Sequence, residues 1–153
     1  PIYGGATSVG VESTIVACFD ATPRLLRPGG ITREELERVL GRSLGESDSA
    51  TLLAPGMMQS HYAPDAAVLL NQTSGAADAA LLDFGGQLAN APCKARIDLS
   101  ASGNLTEAAA HLFDALRKLD ETGAAQIRVA PVPHHGLGEA INDRLMRAAA
   151  PRN

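Results

Sequence analysis

The pattern that most constrains this chain lies in its second half, where short apolar runs alternate with segments of helical spacing. Ala67-Val68-Leu69-Leu70, Ala80-Leu81-Leu82-Asp83-Phe84, Arg96-Ile97-Asp98-Leu99 and Gln126-Ile127-Arg128-Val129-Ala130 are all of strand length. Before the last of these, Asn104 and Glu107 hold the positions of a capping box, and Leu105, Leu112, Leu116 and Leu119 recur at helical spacing. Gly123 is placed to end that helix, and residues 138–150 read as a final amphipathic helix. Strands alternating with helices predict a small α/β sheet whose faces helices cover.

The first part of the chain, residues 1–53, follows a different order. Gly4 to Gly10 is a glycine-rich turn, and Ser13-Thr14-Ile15-Val16-Ala17-Cys18-Phe19 reads as a strand. Arg24-Leu25-Leu26-Arg27 is a second short strand, stopped by Pro28-Gly29-Gly30. Thr32 opens a helix with Glu35 as its capping-box partner; Leu36, Val39 and Leu40 give it an apolar face, and Gly41 sits where a glycine cap belongs. Two strands and one helix cannot bury both faces of a sheet, so further partners are expected upstream of Pro1. The opening Pro1-Ile2-Tyr3-Gly4-Gly5 lacks Met and reads as the end of a strand, so the chain is expected to be a piece of a longer protein. Residues 45–50 read as a polar loop. The run from Pro55 to Pro64 has proline near both ends and neither helical nor strand periodicity, which predicts an extended connector.

Composition excludes some classes. Hydrophobic residues make up 45 % of the chain and aromatic residues 3 %, with no Trp, so Leu, Val, Ile and Ala must build the core. The net charge of −4 argues against attachment to nucleic acid through a broad basic surface. No run approaches the apolar length of a membrane span. Cys18 and Cys93 are far apart and in no metal-like spacing; two reduced, buried thiols in a cytoplasmic protein are expected.

Each motif carries a bland reading beside a functional one. Gly5 and Gly10 have the glycine spacing of a P-loop, but Val11 and Glu12 stand where Lys and Ser or Thr are required, so a tight turn is preferred. His134-His135-Gly136-Leu137-Gly138 lies where a dinucleotide fingerprint would, yet Ile141 replaces the third glycine, and a structural turn is again preferred. A helix N-terminus there could still attract an anion. Glu12-Ser13-Thr14 offers hydroxyls beside a glycine turn, able to serve a carboxylate or phosphate, although Ser and Thr are common at strand starts. Arg27 is either a planar fork for phosphate or a solvated strand-end charge. His61-Tyr62 either anchors the connector or lies on a strap that closes over a ligand and excludes water.

The order of these segments is more specific than any one of them. Val9-Gly10-Val11-Glu12-Ser13-Thr14-Ile15-Val16, then Leu26-Arg27-Pro28-Gly29-Gly30-Ile31-Thr32, then Pro55-Gly56-Met57 with Ser60-His61-Tyr62-Ala63-Pro64, resembles the threonylcarbamoyl-AMP synthases. These are the long, two-domain relatives of the YrdC-like proteins. The closing Gly138-Glu139-Ala140-Ile141-Asn142-Asp143-Arg144-Leu145 resembles that family's last helix. Ala17 departs from the acidic residue that commonly follows the Ser-Thr-Ile-Val run.

The resemblance implies an α/β chain in three parts: residues 1–53 as the tail of a YrdC-like catalytic domain, 54–65 as a linker, and 66–153 as a small Rossmann-like three-layer domain. It implies that the parent condenses threonine, bicarbonate and ATP into threonylcarbamoyl-AMP and pyrophosphate in the cytoplasm, with Mg²⁺ assisting. Partner proteins then transfer the threonylcarbamoyl group to tRNA. It also implies that Ser13 contacts threonine, that Arg27 contacts the nucleotide phosphates, and that Tyr62 reaches the nucleotide from the linker, with Ser60 and His61 as neighbours. The family's upstream basic residues and its Ser-Ala-Asn segment do not occur in this chain, so the chain alone is expected to be inactive. The alternative is that the second domain is a non-catalytic regulatory or partner-binding module.

Overall fold

The computed structural model describes residues 9–19, 21–46 and 63–150. Ser60, His61 and Tyr62, with most of the expected connector, lie outside the described residues. In the second half, β4 (Ala67–Leu69), β5 (Ala80–Asp83), β6 (Ala95–Asp98) and β7 (Gln126–Val129) form one parallel sheet in the order β4-β7-β5-β6. The helices are α2 (Leu105–Asp120) and α3 (Leu137–Ala149).

β5 is buried along its whole length, as a strand inside a parallel sheet must be. Its alternating side chains serve two different layers. Ala80 and Leu82, with Phe84 just beyond, face the helices, where Leu112, Leu116 and Leu119 of α2 and Ile141 and Leu145 of α3 close the main core. Leu81 points the other way, into a smaller cluster with Leu88 and Ala130, against which Ala91 and Cys93 pack. The helices thus cover one face, and the segment after β5 covers the other.

Asp83 is fully buried on that second side and its partners explain why. Its carboxylate accepts the Phe84 N–H at 2.8 Å, the Leu88 N–H at 3.0 Å and the Arg96 guanidinium at 2.8 Å. It therefore ties the segment covering Leu81 to the sheet. Asp83→Ala would orphan two backbone donors and leave Arg96 with only the more distant Asp98, at 3.9 Å. The expected loss is about 3 kcal/mol, measured by thermal or denaturant unfolding.

The first part forms a smaller sheet of β1 (Ile15–Ala17), β2 (Arg24–Arg27) and β3 (Gly45–Glu46), with α1 (Arg33–Leu40) between the last two. β1 and β2 are antiparallel, whereas β2 and β3 are parallel. The strand expected over residues 13–19 is shorter than its β-branched run. Thr14 Oγ1 is committed to Ile31, and Phe19 is 82 % exposed. The loop expected from residue 45 begins instead with β3, because the Gly45 N–H donates to Pro23 O at 2.8 Å. Two residues are too short to show any periodicity.

Three side-chain expectations also change. Val39 is 83 % exposed and no residue of α1 is buried, so its apolar face is not covered by the described residues. Cys18, just past β1, is exposed rather than buried, and Cys93 is half-buried. The Asn104 cap does receive the Glu107 N–H at 2.9 Å, but the reciprocal half of the box is missing. Ser100 intercepts it: its hydroxyl accepts the Asn104 N–H at 2.9 Å and donates to the Glu107 carboxylate. Among the described residues, no helix is long and apolar enough to cross a membrane.

Candidate functional site

Ser13 and Arg27, which the sequence separates by a turn and a strand, are in direct contact. The register of β1 and β2 pairs Ile15 with Arg27, so the residues just before β1 run alongside the end of β2. Arg27 donates from Nε and Nη2 to the Ser13 carbonyl at 3.1 and 3.0 Å, and from Nη2 to Ser13 Oγ at 3.2 Å. The guanidinium plane is thereby fixed next to an exposed hydroxyl. A hydroxyl beside a fixed cation suits a ligand carrying carboxylate or phosphate.

The two turns that carry these residues interlock. The Gly30 N–H donates to Glu12 O at 3.1 Å, Thr14 Oγ1 donates to Ile31 O at 2.6 Å, and the Ile31 N–H returns to Thr14 Oγ1 at 3.1 Å. Gly29 makes this approach possible: a Cβ there would fall 2.3 Å from Glu12 O and 2.4 Å from the Thr14 nitrogen. The glycines after Arg27 therefore do more than stop a strand.

Three contacts join this region to α3. Arg144 donates from Nε to Glu12 at 2.7 Å and from Nη1 to Pro28 O at 2.9 Å. Arg33 makes a forked pair with Glu139, the shortest distance being 2.7 Å, and that hydrogen bond raises the Arg33 pKa against the opposing effect of burial. Glu34 accepts the Gly136 N–H at 3.0 Å, at an α3 N-terminus that lacks a side-chain cap. The anion attracted to the end of α3 is thus a carboxylate of the chain itself.

These contacts have a pH signature. Burial alone would raise the Glu12 pKa, but a backbone hydrogen bond, the Arg144 contact and the Arg27 charge together hold it below the ordinary 4.5. The hydrogen bond from Gly136 leads the effects that lower Glu34. Carboxyls lowered in the folded state contribute stability that is complete above about 4.5 and is lost as pH falls through the depressed folded values. Thermal midpoints between pH 7 and 3 should therefore fall in the acid range, and Glu12→Gln should flatten that dependence; an unchanged slope would count against it.

Sequence reasoning missed Glu12, Arg33, Glu34, Glu139 and Arg144 as contact residues. One signal was available: Arg144 lies four residues after Ala140 and four before Ala148, on the buried face of α3. A charge on an apolar face needs a partner. Among the described residues, no group of three or more His, Cys, Asp or Glu side chains could hold a metal.

The sequence model of the family described as threonylcarbamoyl-AMP synthase, C-terminal domain, matches residues 31–150. The chain belongs to that family. Curated relatives named threonylcarbamoyl-AMP synthase include the Bacillus subtilis (strain 168) protein, 36 % identical over 99 % of this chain, and the Pyrococcus abyssi protein, 34 % identical over 99 %. The chain spans about half the length of these relatives, 49 % of each. The solved structure of P. abyssi Sua5 complexed with L-threonine superposes with a TM-score of 0.81 at 32 % identity, over 95 % of this chain and 48 % of that one. A second Sua5 structure, in which an adjacent His-Tyr pair is replaced by alanines, superposes with a TM-score of 0.79 at 30 % identity, over 95 % of this chain and 47 % of that one.

Proposed function

We propose that the parent protein of this chain condenses threonine, bicarbonate and ATP into threonylcarbamoyl-AMP, releasing pyrophosphate and water. The contact of Arg27 with Ser13 carries the reading, because it sets a phosphate-binding cation beside a hydroxyl suited to an amino-acid substrate. The relative solved with L-threonine supports the substrate class. Residues 1–53 form the end of the catalytic domain, 54–65 the linker and 66–153 the smaller domain.

Ser13 holds threonine through its hydroxyl. Arg27 offsets the negative charge that builds on the phosphates as carboxylated threonine displaces pyrophosphate from the α-phosphorus. The mixed anhydride so formed is labile to water, and Tyr62 on the linker covers the nucleotide, with His61 and Ser60 beside it. The relative altered at a His-Tyr pair supports attention to this segment, since His61-Tyr62 is the one such pair in the sequence.

Among the described residues no cluster of carboxylates could hold Mg²⁺ unaided, so in the intact enzyme the ion would be held chiefly by the nucleotide phosphates, whose charge it would share with Arg27. Glu12, beside Ser13, is engaged by Arg144, and no carboxylate set stands near Arg27. No step is routed through the ion.

The product suits transfer of its threonylcarbamoyl group to tRNA in the cytoplasm by partner proteins. The chain spans about half the length of its relatives and is not expected to carry the reaction alone. Pyrophosphate release by the folded intact protein, dependent on both threonine and bicarbonate, tests the proposal. Its absence would sink it.

A further inference from the structure

Three features lie outside the contacts assigned to the site so far. The exposed Phe19 and Val39 have nothing on them to say what covers them. The carboxylates Asp83, Asp98 and Glu107 near the strand ends are satisfied by Arg96, backbone N–H groups and Ser100. Arg144 remains, with partners that cannot be explained by its own helix.

We propose that Arg144, a residue of the small domain, positions the Ser13–Arg27 site from outside the catalytic domain. The inference rests on the functional reading of that site. Arg144 does not touch Ser13 or Arg27 in any contact described above. It holds the residue next to each of them: the carboxylate of Glu12, which precedes Ser13, and the carbonyl of Pro28, which follows Arg27. One guanidinium thereby spans the two turns whose separation sets the distance from the Ser13 hydroxyl to the Arg27 cation. Because those turns are also locked together at Gly30–Glu12 and Thr14–Ile31, a shift of either is passed to both site residues.

The guanidinium is itself held in place. Nη1 also donates to Asp143 at 2.6 Å, and Asp143 accepts Arg147 at 2.9 and 3.1 Å. The Arg144 side chain is only 4 % exposed, whereas Glu12 is 33 % exposed. Nη2 is buried with no hydrogen-bond partner among the described residues. A buried charge with an orphaned donor is a poor device for stability alone. Its geometry is better accounted for by the two contacts it makes at the site.

Arg33–Glu139 supplies an internal control. It joins the same two parts of the chain through a forked ion pair, but at the first turn of α1 rather than beside Ser13 or Arg27. A general loosening of the docking would follow from breaking either pair. A specific displacement of Ser13 and Arg27 would follow only from breaking the Arg144 contacts.

The test uses the intact two-domain enzyme with saturating ATP and bicarbonate and varied threonine. Arg144→Met is expected to raise the threonine KM roughly ten- to hundredfold through displacement of Ser13, as for sub-ångström to ångström misplacement of a binding group, and to lower kcat as well through displacement of Arg27. Arg144→Lys should recover part of the loss, since an ammonium can meet Glu12 but cannot reproduce the fork. Arg33→Met should lower the thermal midpoint and leave the threonine KM unchanged. A folded Arg144→Met enzyme with the wild-type KM would overturn the inference, as would an equal rise in Arg33→Met. If Arg144→Met does not fold, Glu12→Gln addresses the same contact from its more exposed side; a raised KM supports the inference and an unchanged one defeats it. Ser13→Ala separates the two layers of argument. If it raises the KM while the Arg144 and Glu12 variants do not, the inference alone fails; if it has no effect, the site reading fails and takes the inference with it.

Discussion

Arg27→Ala in the intact enzyme is expected to lower kcat/KM by about 10²–10³-fold, the usual cost of removing one fixed electrostatic group from a charge-building transition state. Its thermal midpoint should change little. Arg27 is half-buried at the end of β2, and its partners include the carbonyl and hydroxyl of the exposed Ser13. Water can satisfy both of these exposed oxygens once the guanidinium is gone. What disappears is a cation whose plane was set by three hydrogen bonds to one residue. Arg27→Lys should recover only part of the rate, because a single ammonium cannot keep both the Ser13 contacts and a forked approach to phosphate. Steady-state kinetics with ATP and threonine varied separately give the measurement. A kcat/KM within about threefold of wild type would return Arg27 to the status of a solvated strand end.

The largest expected effect on stability comes from Gly138→Ala. Gly138 is the second residue of α3, and a Cβ there would lie 1.8 Å from Pro133 O, a separation no packing adjustment of side chains can relieve. The carbonyl cannot simply move aside. Asn142 Nδ2 donates to Pro133 O at 3.2 Å, to Val132 O at 3.0 Å and to Gly138 O at 2.8 Å, binding the segment after β7 to the first turn of the helix. Accommodating the methyl means backing α3 away and breaking these buried contacts. The cost is about 3–5 kcal/mol, from backbone overpacking plus lost buried hydrogen bonds. In a scan of the intact protein this is a fall of about 5 °C or more. Gly123→Ala separates sterics from strain: its φ is +66° but nothing lies within 4 Å, so a penalty of only about 1–2 kcal/mol is expected. Similar losses for the two would show that the close approach at Gly138 is not the cause. The Gly138 change also displaces Glu139 and Arg144, so it should weaken threonine handling in whatever fraction remains folded.

What was legible in the sequence depended on how local the governing interaction is. The cap at Thr32 was readable because Glu35 lies three residues away and both halves of the box form. Gly41 takes its left-handed cap at a φ of 66° for reasons equally local. The α/β sheet was readable because short strand-length runs alternate with helical spacing, and the apolar positions of those runs, such as Leu81 and Leu82 of β5 and Ile127 and Val129 of β7, are buried. The Asn104 box was misread where a residue outside the four-residue pattern, Ser100, competes for its groups. The apolar face of α1 was readable as a face, but not as one that the described residues leave uncovered.

The candidate site divides in the same way. Ser13 and Arg27 could be named because their motifs occur in a family order, and the antiparallel register of β1 and β2 then brings them together. Arg144 could not be paired with Glu12 from spacing, since 132 residues separate them and only the tertiary fold joins them. The reaction itself is tested by the identity of its product. The intact two-domain protein would be given carbon-labelled bicarbonate, threonine and ATP, and the labelled product identified by mass. Label is expected in an adduct of threonine and AMP, formed one for one with pyrophosphate and absent when threonine is withheld. ATP consumed while all the label stays in bicarbonate would contradict it.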